Sequence, residues 1–285
     1  MRPRELFFLS TLFLFSVAVS AFAQEKCNGV YGDGPHKFSL ATGSPGELGI
    51  LKVLGETFGK ENNATLCWIK AGSGDSLKLL KEKKVDMIMV HAPAAEKKAL
   101  AEGWAILQKL IGSNEFYIVG PPNDPAKISE SRSAADAYKR IASTKEKFFS
   151  RGDNSGTHKK EMDVWAMAEI IPSGDWYIVT KDFMTATLKR ADTEKGYFMT
   201  DSSTWVAERK NMPNLKILFR GDKFLINTYH TLAQPTGSTP GALMAARFID
   251  LVVSEKGQSL IRDFGKEQYG EGLYNDAAYA KQYDK

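Results

Sequence analysis

Short apolar runs along the chain alternate with segments in which apolar residues recur every three or four positions. The first pattern is typical of strands and the second of amphipathic helices. The run VDMIMV at residues 85–90 is almost wholly apolar, as in a strand buried within a parallel sheet. This alternation predicts an α/β fold. The predicted strands are residues 37–41, 65–71, 85–90, 116–119 and 225–233, and the predicted helices are residues 45–59, 75–83, 96–102 and two segments within 241–264.

A cluster of turn-forming residues follows the predicted strand at 116–119. It reads Pro-Pro-Asn-Asp-Pro at residues 121–125. Proline and asparagine interrupt both helices and strands, and the composition changes at this point. The sequence therefore predicts that the chain crosses from one domain to another here.

The first residues have the pattern of a secretory signal peptide. Arg2 and Arg4 precede an apolar stretch that reaches about residue 23, and Ala21 and Ala23 form an A-x-A cleavage site before Gln24. We predict that residues 1–23 are removed on export to the periplasm. The alternative is an uncleaved membrane anchor, for which the apolar stretch is short.

Composition limits the class of protein and the kind of partner. The chain has 285 residues, 43% of them hydrophobic, which favours one or two globular domains. Lys and Arg total 38 and Asp and Glu total 34, a net charge of +4. This balance is too even for a nucleic-acid-binding surface. No nucleic-acid partner is expected.

Two cysteines, Cys27 and Cys67, lie in the part of the chain that would be exported. In an oxidising compartment a pair of cysteines is expected to form one disulfide. The four histidines and two cysteines show no H-x-x-x-H or C-x-x-C spacing. We therefore predict a disulfide and no metal or other cofactor.

Three segments rich in Ser, Thr and Gly stand where a predicted strand gives way to a helix. The first, residues 44–47, has Ser, Pro and Glu in the order of a capping box. The others are residues 71–76 and 150–158. Helix N-termini offer unpaired N–H donors and a positive dipole end, so the three could converge on one anion. Arg151 would add a two-pronged cationic donor.

Each segment also has a plainer interpretation. Ser and Thr at helix starts often serve only as caps, and Arg151 could form a structural salt bridge. His91 could simply fix a turn after the buried strand. Asp153 and His158 could activate Ser155 as a nucleophile, although the G-x-S-x-G turn of hydrolases is absent. An exported enzyme therefore remains an alternative.

Five stretches carry a resemblance to a known family. They are VHAPAAEKKAL (90–100), FFSRGDNSGTHKKE (148–161), PSGDWY (172–177), MTATLKRADTEKGYFMTD (184–201) and LFRGDKFLINTY (218–229). Over residues 37–275 the chain resembles the tungstate-binding periplasmic proteins of bacterial ABC importers. The resemblance implies a type II periplasmic-binding-protein fold, with mixed sheets flanked by helices in two lobes that two crossing hinge strands connect. It implies lobe 1 at residues 36–116 and 229–285 and lobe 2 at residues 117–228.

The resemblance also implies a ligand and a set of residues that bind it. The ligand would be a small oxyanion, tungstate first and molybdate next, delivered to an ABC transporter permease by a monomeric binding protein without catalysis. The implied ligand-binding residues are Thr42, Ser44, Ser73, Arg151, Ser155 and Thr157.

The first loop departs from the family pattern. Where the family has Thr-Thr-Thr-Ser and then Asp-Ser-Gly, this chain has Ala41-Thr42-Gly43-Ser44 and then Glu47-Leu48-Gly49. Side-chain hydroxyls are therefore expected to be missing at positions 41, 43 and 48. This leaves open another anion, such as molybdate, sulfate, phosphate or a small organic acid, or a role as a sensor.

Overall fold

The structure is a computed structural model that describes residues 26–284. The strands are Gly29–Tyr31 (β1), His36–Thr42 (β2), Ala64–Lys70 (β3), Met87–Val90 (β4), Ile106–Gly120 (β5), Phe148–Ser150 (β6), Tyr177–Val179 (β7), Tyr197–Asp201 (β8), Lys216–Phe219 (β9), Ile226–Ala233 (β10) and Asn275–Asp276 (β11). The α-helices are Ser44–Glu47 (α1), Ile50–Asn62 (α2), Ser73–Lys81 (α3), Pro93–Ala101 (α4), Ala134–Thr144 (α5), Gly156–Met167 (α6), Met184–Glu194 (α7), Ser202–Glu208 (α8), Ala242–Val253 (α9), Glu255–Asp263 (α10), Lys266–Tyr269 (α11) and Ala277–Ala280 (α12).

The strands form a mixed sheet system, which confirms the predicted α/β class. The strand order is β1-β3-β2-β4-β10-β5-β8-β6-β7, and β9 and β11 pair with β5. Strand β2 is parallel to both β3 and β4, and β6 is parallel to both β7 and β8. The pairs β10 with β4 and β10 with β5 are antiparallel.

The long strand β5 takes part in both halves of the sheet system. Its first part pairs with β10, and Phe116–Val119 pair with β8. Strand β10 carries the chain back from β9 to β4. We call the part built on β1–β4, β10 and the start of β5 lobe 1, and the part built on β6–β9 and the end of β5 lobe 2. Two strands thus connect two lobes, as predicted, whereas the residue bounds given above for the lobes remain a prediction.

The crossing point differs from the one predicted at residues 121–125. The chain passes between the lobes inside β5, near Asn114, where the pairing partner changes from β10 to β8. The predicted strand at 116–119 is only the last part of β5. Residues 106–115 mix Gln108, Lys109 and Glu115 with apolar residues in no regular alternation, so the pattern did not mark them as a strand.

Each lobe has its own apolar core. In lobe 2 the largest buried side chains include Tyr138, Phe148 and Trp165, whose rings pack against one another. In lobe 1 one face of the sheet is covered by a cluster that contains Phe58 and Phe248, with ring centroids 5.3 Å apart. A smaller apolar cluster covers the other face. Burial on both faces explains why the strand at 85–90 is apolar at every position except Asp86.

The helix predicted at residues 45–59 is two helices, α1 and α2. The chain breaks between them at Gly49, which has a φ of +98°. A left-handed residue cannot continue an α-helix, and glycine adopts this conformation without a steric cost. The apolar face of α2 is as predicted, with Leu51, Leu54 and Phe58 buried. The apolar spacing continues through the break, so the periodicity alone did not reveal it.

The predicted disulfide is confirmed. Cys27 and Cys67 are bonded, with their Cα atoms 5.3 Å apart. The bond fastens the segment that precedes β1 to β3, and β1 pairs with the same strand. The predicted signal peptide and its cleavage site lie outside the described residues. Within residues 26–284, no helix combines the length and the apolar character needed to cross a membrane.

Candidate functional site

A cleft between the two lobes brings most of the predicted site residues together. Its empty volume is about 310 Å³, part of it open to solvent. It lies beyond the carboxyl ends of β2, β3 and β4, the edge at which α/β sheets place their ligands. The lining residues are Thr42, Gly43, Ser44, Pro45, Gly72, Ser73, Met89, His91, Arg151, Ser155, Phe183 and Tyr229. All of the predicted ligand-binding residues except Thr157 are among them.

Glycines allow the two sides of the cleft to approach closely. A Cβ atom on Gly72, in lobe 1, would lie 3.2 Å from the Ser155 Cβ in lobe 2. A Cβ atom on Gly156, at the start of α6, would lie only 2.3 Å from Cε1 of His91. Any larger residue at Gly156 would force the two lobes apart or displace the His91 ring. The structure is therefore a form in which the lobes are in contact.

Arg151 is held in a fixed orientation on the lobe 2 side of the cleft. Its side chain is buried, its Nη2 lies 2.5 Å from Asp153 Oδ2, and its Nε donates to the Asp182 carbonyl oxygen at 3.1 Å. The guanidinium also lies 5.5 Å from the centre of the Phe183 ring. A guanidinium has five N–H donors, so these contacts leave donors for a ligand in the cleft.

Two serines that line the cleft, one from each lobe, have a hydroxyl hydrogen available for a ligand. Ser73 Oγ accepts the backbone N–H of His91 at 3.3 Å, and Ser155 Oγ accepts the backbone N–H of His158 at 3.2 Å. Each hydroxyl therefore acts as an acceptor towards the protein. For neither is an acceptor of the hydroxyl hydrogen found among the described residues, so both can donate to a bound anion.

Two of the other three predicted hydroxyls have partners in the protein. Thr42 Oγ1 donates to the Met89 carbonyl oxygen at 2.8 Å. Ser44 Oγ lies 3.5 Å from Asp201 Oδ2, a long hydrogen bond that joins lobe 1 to lobe 2. The predicted capping box is wrong, because Gly43 occupies the N-cap position and Ser44 is already the first residue of α1. Ser44 faces Asp201 instead of its own helix.

Thr157 differs from the rest of the predicted set. It is buried in the first turn of α6, behind the N-cap residue Ser155, and does not line the cleft. Its predicted role in ligand binding remains a prediction. Ser155 does form the predicted cap, since its side chain accepts the third N–H of the helix.

Asp201 is a buried carboxyl group behind the cleft. It accepts hydrogen bonds from the backbone N–H and the hydroxyl of Thr204 at 2.8 and 3.0 Å. Burial raises the pKa of Asp201, while these bonds and the charge of Arg151 act in the opposite direction. The group adds a polar link between the lobes through Ser44.

The lining residues that were not predicted to be in the site include His91, Phe183 and Tyr229. The His91 and Tyr229 rings lie 4.9 Å apart, and Nδ1 of His91 is 2.8 Å from Asn227 Oδ1. Burial, together with the positive charges of Arg151, Lys159 and Lys160, lowers the pKa of His91 to about 3. The position of His91 after a buried strand was the available signal, but its partners lie far away in the sequence.

The geometry does not form the alternative nucleophilic triad. The ring of His158 accepts the backbone N–H of Asn154 through Nδ1, at 3.0 Å, and Ser155 Oγ is bonded to the backbone of His158, not to its ring. A nucleophile and its base would need a direct side-chain hydrogen bond. In the part of the chain that the structure describes, no cluster of His, Cys, Asp or Glu is placed to hold a metal ion.

Comparison with known proteins gives a consistent result. The sequence model described as "PBP superfamily domain" matches residues 29–256. A tungstate-binding protein, TupA, of Peptoclostridium acidaminophilum is 34% identical over 241 residues, which cover 83% of this chain and 84% of the relative. The crystal structure of the tungstate ABC transporter from Geobacter sulfurreducens is 36% identical, with a TM-score of 0.73 and coverage of 81% of this chain and 100% of that one. The tungstate-binding protein TupA from Desulfovibrio alaskensis G20 is 33% identical, with a TM-score of 0.70 and coverage of 84% and 98%.

Proposed function

The chain belongs to the PBP superfamily and, within it, to the family of the tungstate-binding solute-binding proteins, and from this premise we propose that it captures tungstate in the cleft between its lobes. We propose further that the mature protein is a periplasmic monomer, released from its signal peptide after residue 23, that delivers the anion to an ABC permease. The disulfide between Cys27 and Cys67 supports export, because such bonds persist in oxidising compartments.

One observation carries the proposal. Donors from both lobes meet at the cleft with their hydrogens available: Ser73 from lobe 1, and Ser155 and Arg151 from lobe 2. A buried anion needs donors on all sides, and charge-assisted hydrogen bonds are stronger than neutral ones. Because the donors come from different lobes, an anion between them would hold the lobes together.

Two helix N-termini support the same ligand class. Helices α3 and α6 begin at the cleft, with Gly72 and Ser155 as their N-cap residues. The N-terminal end of a helix carries a partial positive charge and unpaired N–H groups. In the proposed cycle the lobes separate about β5 and β10 to admit the anion and close around it. The permease then recognises the closed form.

The missing hydroxyls of the first loop matter less than the sequence suggested. Ala41 is buried in an apolar cluster, and Leu48 packs against the other core of lobe 1. Neither residue lines the cleft. Only Gly43 of the three positions does so, so we expect backbone groups, Ser73, Ser155 and Arg151 to supply the principal contacts.

Native mass spectrometry of the mature protein with a panel of oxyanions tests the proposal. We expect tungstate and molybdate to be retained at one ion per chain, and sulfate, phosphate and small carboxylates to be retained less. Binding of another anion in preference to both would indicate a different cargo on the same scaffold. A protein that retains none of them would contradict the proposed function.

Substitution of the serines is expected to separate hydroxyls that bind the anion from those that hold the protein together. Ser73→Ala and Ser155→Ala should each weaken tungstate binding by about 1.5–3 kcal/mol, the usual range for a hydrogen bond to a charged group. Thr42→Val should leave the affinity nearly unchanged and lower stability instead, because Thr42 donates to Met89. Calorimetric titration and thermal unfolding of the three variants provide the measurements.

The loss of a helix cap needs its own control, because Ser155 also caps α6. Ser133 is the N-cap of α5 in lobe 2 and lies outside the cleft. Ser133→Ala should cost similar stability, about 0.5–2 kcal/mol, with no change in affinity. If Ser155→Ala lost no more affinity than Ser133→Ala, the hydroxyl of Ser155 would have no role in binding.

A further inference from the structure

His91 lies at the wall of the cleft with contacts from several elements. Its ring packs against Tyr229 of β10 and Phe116 of β5, with centroids 4.9 and 6.2 Å apart. Gly156 of α6 also approaches the ring closely, since a Cβ atom there would lie 2.3 Å from Cε1 of His91. The ring is therefore held from both lobes and cannot turn freely.

A chain of hydrogen bonds fixes which ring nitrogen of His91 carries the proton. Ser203 Oγ donates to the Leu273 carbonyl oxygen at 2.7 Å, so it accepts from Asn114 Nδ2 at 2.8 Å. Asn114 Oδ1 then accepts from Asn227 Nδ2, also at 2.8 Å, and Asn227 Oδ1 is left facing Nδ1 of His91. Since a carbonyl oxygen only accepts, Nδ1 must be the protonated nitrogen.

The second ring nitrogen, Nε2, is consequently an unprotonated acceptor when the cleft is empty. Arg151 of the cleft wall and Lys159 and Lys160 of α6 disfavour a positive charge on the ring, and burial acts in the same direction. The ring neighbours on β10 and β5, Tyr229 and Phe116, carry no charge, and the carboxyl group of Asp201 is reached only through the two amides. His91 is thus a neutral hydrogen-bond acceptor in a cleft where Ser73, Ser155 and Arg151 are hydrogen-bond donors.

An anion in the cleft would instead favour the protonated form of the His91 ring. An unprotonated nitrogen beside an oxyanion would place two lone pairs against each other, whereas a proton between them forms a charge-assisted hydrogen bond. The negative charge also offsets Arg151 and the two lysines. This reasoning rests on the proposed function and concerns the same cleft.

We propose that oxyanion capture is coupled to uptake of one proton, held between Nε2 of His91 and an oxygen of the bound anion. The proton comes from solvent as the lobes close. His91 is in this view a specificity-determining residue, because the cleft then suits an anion that can share a proton with imidazole.

The proposed proton uptake predicts the direction in which anion affinity changes with pH. In the free protein the pKa of His91 is low, about 3, and the bound anion raises it. Affinity should therefore increase as the pH falls below the pKa of the complex, by up to about tenfold per pH unit, until the free imidazole itself becomes protonated. Above the pKa of the complex, the dependence should disappear.

Isothermal titration with sodium tungstate and sodium molybdate measures the coupling directly. Titrations in two oxyanion-free amine buffers of different ionisation enthalpy give the number of protons taken up, which we expect to approach about one in the wild type at a pH well below the pKa of the complex and above that of free His91. His91→Gln should abolish the uptake and flatten the pH profile. His158→Gln should retain it, since His158 stands near the same charges but hydrogen-bonds Asn154.

Two acids must be tested as other groups that could take up the proton. Burial raises the pKa of Glu161 to about 7, and it also raises that of Asp201. Proton uptake that survived His91→Gln but vanished in Glu161→Gln or Asp201→Asn would overturn the role of His91. So would tight binding without any uptake between the pKa of free His91 and neutral pH, which would leave the proposed function intact.

Nitrogen-15 NMR of histidine-labelled wild-type protein tests the same point without a variant. We expect Nε2 of His91 to show the shift of an unprotonated nitrogen in the free protein and of a protonated one with molybdate bound. An unchanged shift on saturation at the low end of the pH range would contradict the proposal. Absence of binding to either oxyanion would instead contradict the proposed function itself.

Discussion

Arg151→Ala is expected to weaken tungstate binding by about 2–5 kcal/mol, the range for removing one member of a buried, hydrogen-bonded charge pair. The side chain is 5% exposed, so water cannot replace the lost donors. Its removal also leaves the Asp153 carboxylate without its cationic partner beside the incoming anion. Repulsion from Asp153 should therefore add to the loss of attraction. Calorimetric titration measures the change in affinity.

The geometry of the guanidinium, and not only its charge, should matter. Arg151→Lys keeps the charge but cannot contact Asp153 and the Asp182 carbonyl oxygen together while still presenting a fork to the anion. We expect an intermediate affinity. Arg132→Ala is the matched control, because Arg132 is an exposed arginine of the same lobe outside the cleft. Affinity within about twofold of the wild type in Arg151→Ala would exclude Arg151 from the site.

The sequence located some strands accurately and missed part of another strand, which is of mixed exposure. The strands at 85–90 and 225–233 were located within about two residues, and the observed β4 and β10 are buried along almost their whole length. The first part of β5 was missed because it is partly exposed and its residues do not alternate. At Gly49 the apolar spacing predicted one continuous helix, but the backbone breaks there between α1 and α2.

The candidate site was predictable where its chemistry is local. Arg151 and Ser155 stand in one loop between a strand and a helix, so their residue types and spacing already indicated an anion site. His91 was not identified because Asn227, which orients it, is 136 positions away. Likewise, only the structure shows that Thr42 donates to a carbonyl oxygen 47 residues further along the chain. Whether a side chain donates or accepts a hydrogen bond depends on partners that the sequence does not reveal.

Two kinds of residue at the cleft would affect how tightly it binds an anion. In the proposed function, donors such as Ser73 and Arg151 would set the strength of anion binding, whereas Gly72 and Gly156 allow the two sides of the cleft to approach closely. Glycine is needed at these positions because a larger residue would keep the two lobes apart, and not because it contacts the anion. A binding protein of this type can therefore lose affinity through a single added methyl group as well as through a lost charge.

Loss of the disulfide is expected to lower the free energy of unfolding by about 2–4 kcal/mol without changing anion affinity. The bond closes a loop with a sequence separation of 40, and opening that loop increases the entropy of the unfolded chain. Cys67 lies in the apolar cluster on the face of β3 and does not line the cleft. Denaturant unfolding of the oxidised protein and of a Cys27→Ser, Cys67→Ser double variant measures the difference.

The two outcomes of this substitution have different physical meanings. Strand β1 pairs with β3 at Val30 and Cys67, so the N-terminal segment has a second attachment that could hold it without the bond. If that pairing were sufficient, the double variant would unfold at the same denaturant concentration, and reductant would not affect the wild type. We expect instead that reductant lowers the stability of the wild type to that of the double variant and leaves the variant unchanged. Thiol labelling of the native wild type before reduction would contradict the bond itself.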